Sequence, residues 1–205
     1  MRKLFVILSL LAVAILPSYV AALDQPSEYA TLLASLKAGK TDIDYARLRI
    51  SYMDSPEYEA AKDVSESGKA MIEALNKKDY PAALKNVEIV LDSEYVNMNA
   101  HFVAIVANRE IGAKEKSDFH SAVFHGLIKS ILDSGDGKSL EKAWVVINVQ
   151  EEYVLLRVLG FAPSGQSLVN KDGHSYDVMK VKDADDGTER TFYFNVDIPF
   201  KHYGV

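Results

Sequence analysis

Residues 134–149 read Ser134-Gly135-Asp136-Gly137-Lys138-Ser139-Leu140-Glu141-Lys142-Ala143-Trp144-Val145-Val146-Ile147-Asn148-Val149, and the period of the chain changes across them. Upstream, over residues 26–133, apolar side chains recur at helical spacing; downstream of Ala143 they crowd into short β-branched and aromatic runs, the mark of strands. The loop-forming residues 134–137 therefore divide a helical region, 23–135, from a β-rich region, 136–205. The fold class this predicts is α+β, with the two regions packed as one unit.

Working back from that boundary, Ser27 is placed to cap a first helix carrying Tyr29, Leu32, Leu33 and Leu36 on one side, with Gly39 to end it. Residues 42–52 form a weaker helical stretch, and Ser55-Pro56-Glu57 begins another. Between Met71 and Leu132 the rhythm is helix, turn, helix: one ends near Lys77-Lys78-Asp79-Tyr80, the next runs from Pro81 to Leu91, and a third from about Asn99 to Ile111. Gly112 stops the third and Ser117-Asp118 opens a fourth, whose Phe119, Ala122, Val123, Leu127 and Ile131 make one apolar stripe.

Leu75 and Ile111 hold similar places 36 residues apart, each at a helix end before a polar turn. This spacing, and the run Asn76-Lys77-Lys78-Asp79-Tyr80-Pro81-Ala82-Ala83-Leu84, resembles the tetratricopeptide repeat. Two imperfect copies fall short of the three or more units that usually support a solenoid, so these helices are expected to lean on the C-terminal region.

Working forward, residues 144–149 have a buried-strand pattern, and Glu151 to Leu159 has helical spacing in Tyr153, Leu156 and Leu159 before Gly160, although Val154 to Val158 also tolerate an extended chain. Residues 167–169 and 175–181 flank Asp172-Gly173, a tight-reversal pair, and residues 191–198 follow the acidic turn 183–187. The expectation is a mainly antiparallel sheet of about four strands with one short helix on it.

The strings Asn148-Val149-Gln150-Glu151-Glu152-Tyr153, Leu156-Arg157-Val158-Leu159-Gly160, Gln166-Ser167-Leu168, Asp172-Gly173-His174-Ser175-Tyr176-Asp177-Val178-Met179 and Tyr193-Phe194-Asn195-Val196, together with residues 29–40 and the helical middle, resemble a family of exported bacterial proteins catalogued only as a domain of unknown function. The resemblance implies bacterial origin, an envelope or extracellular location and a helical half before a β-rich tail. It implies no activity.

The first residues give an independent address. Met1, Arg2 and Lys3, the apolar run Leu4 to Leu16, Pro17 and the small-residue ending Val20-Ala21-Ala22 read as a signal peptide, 1–22, cleaved after Ala22. The apolar run is shorter than the roughly 20 residues a spanning helix needs, and no later segment could span a bilayer. Without Arg2 and Lys3, 21 basic side chains face 29 acidic ones, a formal charge of −8, which argues against a nucleic-acid partner. The chain has no cysteine, excluding thiol catalysis, thiolate metal sites and disulfide staples.

Chemical motifs are few. His120 and His125 are five residues apart, about 140° on a helix, so one ion does not bridge them, and neither HExxH nor a Cys/His cluster is present; His101 and His202 have no evident partner. On an extended strand His174 and Tyr176 share one face while Ser175 and Asp177 share the other, which prevents a nucleophilic triad among neighbours. Glu151 and Glu152, side by side, suit the positive end of a short helix and cannot flank a scissile bond. Arg157, four residues beyond Tyr153, is placed to lie over its ring. Residues 163–167 lack GxSxG, no phosphate-loop or dinucleotide fingerprint occurs, and the acidic turn lacks the ligand spacing of a calcium loop, so no cofactor or metal is expected.

The leading expectation is a non-enzymatic exported envelope protein, periplasmic or extracellular, that binds another protein or a peptide on the concave face of its helical pairs. The alternative is a secreted hydrolase or small-ligand-binding protein with a site at the helix/sheet junction. Glu152, Tyr153, His174, Tyr176 and Asp177 are the candidate ligand-binding residues.

Overall fold

Six short polar side chains set where helices begin. In the computed structural model, which describes residues 25–203, Ser27, Asp44, Ser55, Asp79, Asn97 and Asn148 each accept a hydrogen bond from a backbone N–H in the first turn that follows, satisfying donors a helix start leaves free. The leader expected at residues 1–22 lies outside the described residues.

Helices α1 (Glu28–Lys37), α2 (Tyr45–Met53), the single turn α3 (Pro56–Glu59), α4 (Ser65–Asn76), α5 (Tyr80–Ser93), α6 (Met98–Glu110) and α7 (Lys114–Leu132) make the N-terminal part. A 3₁₀ turn at Leu140–Lys142 leads to β1 (Trp144–Val145), α8 (Val149–Val158), β2 (Phe161–Lys171), β3 (His174–Asp183), β4 (Glu189–Asn195) and α9 (Asp197–Tyr203). Consecutive helices α4 to α7 pack as antiparallel hairpins, and α4 also touches α6, the stacking expected of helical pairs. The strand order is β1-β4-β3-β2; β4, β3 and β2 form an antiparallel meander and β1 joins parallel to β4. The fold is α+β, with a helical part preceding a four-stranded sheet.

Among the described residues two apolar clusters hold it. The larger draws Tyr29, Leu48, Leu127, Ile131, Leu155, Met179, Phe192 and Phe194 from α1, α2, α7, α8, β3 and β4 into one core, so the helices are sealed by the sheet. The smaller lies within α4 to α6 and is built of small side chains: Ala83, Val87, Ala100, Val103, Ala104 and Ala107. Helix α2 approaches α7 closely because Gly126 is bare; a Cβ there would meet the Tyr45 ring at 2.2 Å.

The boundary loop 134–137 is packed, not open. The N–H groups of Asp136 and Gly137 both donate to the Lys142 carbonyl, and the Trp144 indole donates to the Gly135 carbonyl at 3.1 Å. Trp144 in turn packs against Phe192 and Phe194.

Three local expectations are corrected. The buried run 144–149 is extended only at Trp144–Val145, because Asn148 caps α8 and its helix claims Val149 onward. Ser117 does not open a helix: α7 starts at Lys114, and the Ser117 hydroxyl donates to the Ile105 carbonyl of α6 at 2.9 Å. The strand expected at 167–169 is the end of an 11-residue strand, since a bulge between Pro163 and Gly165 carries residues that propensity disfavours in strands. The reversal at Asp172-Gly173 is as expected, both residues having positive φ, 52° and 82°, the signature of a type I′ hairpin turn.

Candidate functional site

Helix α8 positions the chemistry. Its first turn carries Glu151 and Glu152, and the two point into different interiors, being only 3% and 0% exposed. Glu151 faces the helical part. It accepts from Arg49 Nε at 2.8 Å and Nη2 at 2.5 Å, and from the Ile147 N–H at 2.9 Å. Arg49, itself 2% exposed, also donates from Nη1 to Ser130 Oγ and from Nη2 to the Val145 carbonyl. This forked, fully satisfied pair joins α2, α7, β1 and α8.

Glu152 faces the sheet and meets another acid. Asp177, 6% exposed on the core face of β3, lies within hydrogen-bond reach, and neither Glu152 oxygen has a donor among the described residues. Two buried carboxylates cannot both stay ionised so close together. Burial first, and then the charge of Asp177, push the Glu152 carboxyl up to about 9, so at neutral pH it carries a proton that it can donate to Asp177. Gln166 Nε2 donates to Asp177 Oδ2 at 2.6 Å, and the Tyr153 hydroxyl donates to Gln166 Oε1 at 3.1 Å. A polar chain thus runs from exposed Tyr153 to enclosed Glu152.

Of the five candidate residues, the structure brings together Glu152, Asp177 and, through Gln166, Tyr153. His174 and Tyr176 lie on the other face of β3, as the alternation of an extended strand requires. There His174 Nδ1 is 2.6 Å from Asp197 Oδ2, whose other oxygen accepts from the Ser175 N–H at 2.7 Å. The Ser175 hydroxyl is turned to Asn170 Oδ1. Enclosure of Glu152 leaves a substrate no approach to its carboxyl.

A second pair, one ring buried and one half-buried, went unseen in the sequence. His101, expected to lack a partner, is fully buried in α6 and bonded at both nitrogens: Nε2 to the Tyr95 carbonyl at 2.8 Å and Nδ1 to His120 Nδ1 at 3.0 Å. Burial favours the neutral form of both rings, so with Nε2–H donating to the Tyr95 carbonyl, His101 Nδ1 accepts from His120 Nδ1–H. Burial lowers the two rings to about 3 and about 4.

Among the accessible features of the described residues is a groove of about 760 Å³ along α4, bordered by the end of α5, the start of α6 and one face of α8. Val64, Met71 and Ile72 give it an apolar floor; its polar walls mix the amides Asn99 and Gln150, the cations Lys69 and Arg157 and the carboxylates Asp63, Glu73 and Glu94. Arg157 does not cover the Tyr153 ring as expected; its Nη2 donates to Asn99 Oδ1 at 2.9 Å, tying α8 to α6 across the groove. The size falls within the range of small-molecule and cofactor sites, about 300 to 1,000 Å³. Among the described residues no group of three or more His, Asp or Glu is placed to hold a metal, and no helix is long and apolar enough to cross a membrane.

Arg49 could have been suspected: it falls on the stripe Tyr45, Arg49, Tyr52, Met53 that α2 buries, and an arginine on an apolar stripe needs an acid. Its partner, 102 residues away, had no local signal.

A model of the family described as a domain of unknown function (DUF4919) matches residues 23–204, and the chain belongs to that family. No curated protein and no solved structure matches it.

Proposed function

We propose that this member of a family defined without an activity is an exported bacterial envelope protein that binds an extended segment of another protein in the α4–α6–α8 groove. The single observation that carries the reading is the groove itself: an apolar floor that includes Ile72, 38% exposed, with amide, cationic and carboxylate side chains along the walls. Such walls match the alternating donors and acceptors of a peptide backbone, and the inner faces of stacked helical pairs commonly receive chains. The apolar leader with its small-residue ending supports export, and the acidic balance of the remaining chain favours a protein over a nucleic acid.

Affinity capture from periplasmic extract, with the chain beginning at Leu23 as bait, tests this reading. A polypeptide retained by the wild type and lost with Ile72→Arg supports it. Equal retention by both baits, or none by either, contradicts it. Recovery of the chain with Met1 intact from the cytosol would contradict the export half.

A further inference from the structure

The strand β2 is an edge of the sheet, and among the described residues it pairs only with β3. Its free side can be read from hydrogen bonds elsewhere. Ser175 on β3 gives its carbonyl to the Val196 N–H and its own N–H to Asp197 Oδ1, so both its backbone groups point away from β2. Its partner across the ladder, Asn170, is therefore in a non-hydrogen-bonded pair and turns its N–H and C=O outward. Alternation extends this to Leu168 and Gln166. None of these three residues has a backbone hydrogen-bond partner on that side among the described residues.

Natural edges are commonly blunted by proline, bulges and charge. Here Pro163 and the bulge beside Gly165 protect the first half of β2, but residues 165–170, Gly-Gln-Ser-Leu-Val-Asn, carry no charge, and Leu168 and Val169 are 47% and 36% exposed. We propose that this edge pairs antiparallel with the same edge of a second copy, about a two-fold axis through Leu168, to give a continuous sheet of both chains.

That register is self-complementary. Leu168 faces Leu168 of the second copy and Gln166 faces Asn170, so every outward group of the three residues meets an outward group, with two hydrogen bonds exchanged in each pair. Lys171 falls opposite Gly165 and Asp172 opposite Ser164, so no like charges confront each other. Lys171 is also held by Glu141 at 3.0 Å. Residues directly opposite share a face, so both α8 helices lie on the same side, and one assembly presents two grooves.

Sedimentation of the chain beginning at Leu23, over a range of concentrations, tests the pairing with Leu168→Lys and Leu168→Pro. The first sets two like charges face to face; the second deletes an N–H that β3 does not use, and an edge strand tolerates it. The expected result is a doubled mass for the wild type and a single-chain mass for both variants, with unchanged circular dichroism. Should Leu168→Pro fail to fold, Leu168→Lys decides. Amide exchange adds a residue-level readout: on concentrating the wild type, Leu168 and Asn170 amides slow by about tenfold or more, while those of Ser167 and Val169, already bonded to β3, do not change. A wild type that stays a single chain, or a dimer that survives in Leu168→Lys, overturns the proposal.

Discussion

The seam among α4, α5 and α6 and the junction around α8 solve the same problem with opposite materials. The seam is closed by alanines and valines, among them Ala83, Ala100, Val103 and Ala104, all fully buried, so helix backbones approach closely and shape, not charge, holds it. The junction is closed by an ion pair on one side of α8 and a protonated acid pair on the other. Buried charge adds less net stability than its attraction suggests, because desolvation offsets most of it. What it supplies is position: Arg49 is satisfied only when α2, α7, β1 and α8 all sit where they do. The seam is tolerant and shape-limited; the junction is exacting and sensitive to pH.

The largest effect that can break this contrast is removal of one member of the ion pair. Arg49→Met leaves Glu151 charged, buried and unpaired, and urea unfolding should show a loss of about 3–5 kcal/mol. Adding Glu151→Leu to it should recover much of that loss. A single variant as stable as the wild type would show that the pair holds nothing.

Next in size is the pH response. Glu152 titrates near 9 in the folded chain against an ordinary value of 4.5, so between those values the folded state holds a proton that the unfolded state has released. Stability from this acid is complete below 4.5 and declines as pH rises toward 9, by a few kcal/mol in all. The His101–His120 pair has the reverse sign: both rings are lowered from 6.5 to about 3 and about 4, so their contribution is present above 6.5 and is lost as pH falls through that window. Between 4.5 and 6.5 the two oppose each other; from 6.5 to 9 the acid acts alone. Denaturation midpoints should fall across that upper range, and Glu152→Gln should flatten the fall. An unchanged slope in that variant would assign the titration elsewhere.

On the seam, Ala104→Leu forces added volume between helices and should cost about 1–3 kcal/mol at every pH, measured by thermal melting. Asn97→Ala removes the side-chain acceptor for the Ala100 N–H at the start of α6 and should cost about 1 kcal/mol. A pH-dependent loss in either variant would blur the distinction between seam and junction.

The seam was legible in the sequence and the junction was not. Helical spacing and the Pro81-Ala82-Ala83 start reveal the hairpins, because each helix signal is local; Gly39, Gly112 and Gly160 stop helices where the reading places them, each with positive φ. The acids at 151 and 152 were visible as a pair at a helix start, but their separate fates were not. One looks to Arg49 and the other to Asp177, 25 residues on, and neither partner is fixed until the sheet and α2 meet across α8. His101 and His120 escaped for the same reason. The part played by Gln150 and Arg157 in lining the groove beside α4 depends on where α8 lands, which no local signal fixes.

Native-state amide exchange across a denaturant series tests most directly that α8 welds helices and sheet into one unit. Amides of α6 at Val103 to Ala107 and of β3 at Val178 to Val181 are expected to open with the same free energy, and Arg49→Met to lower both together. Sheet amides that open at lower free energy while α6 keeps its protection would contradict it.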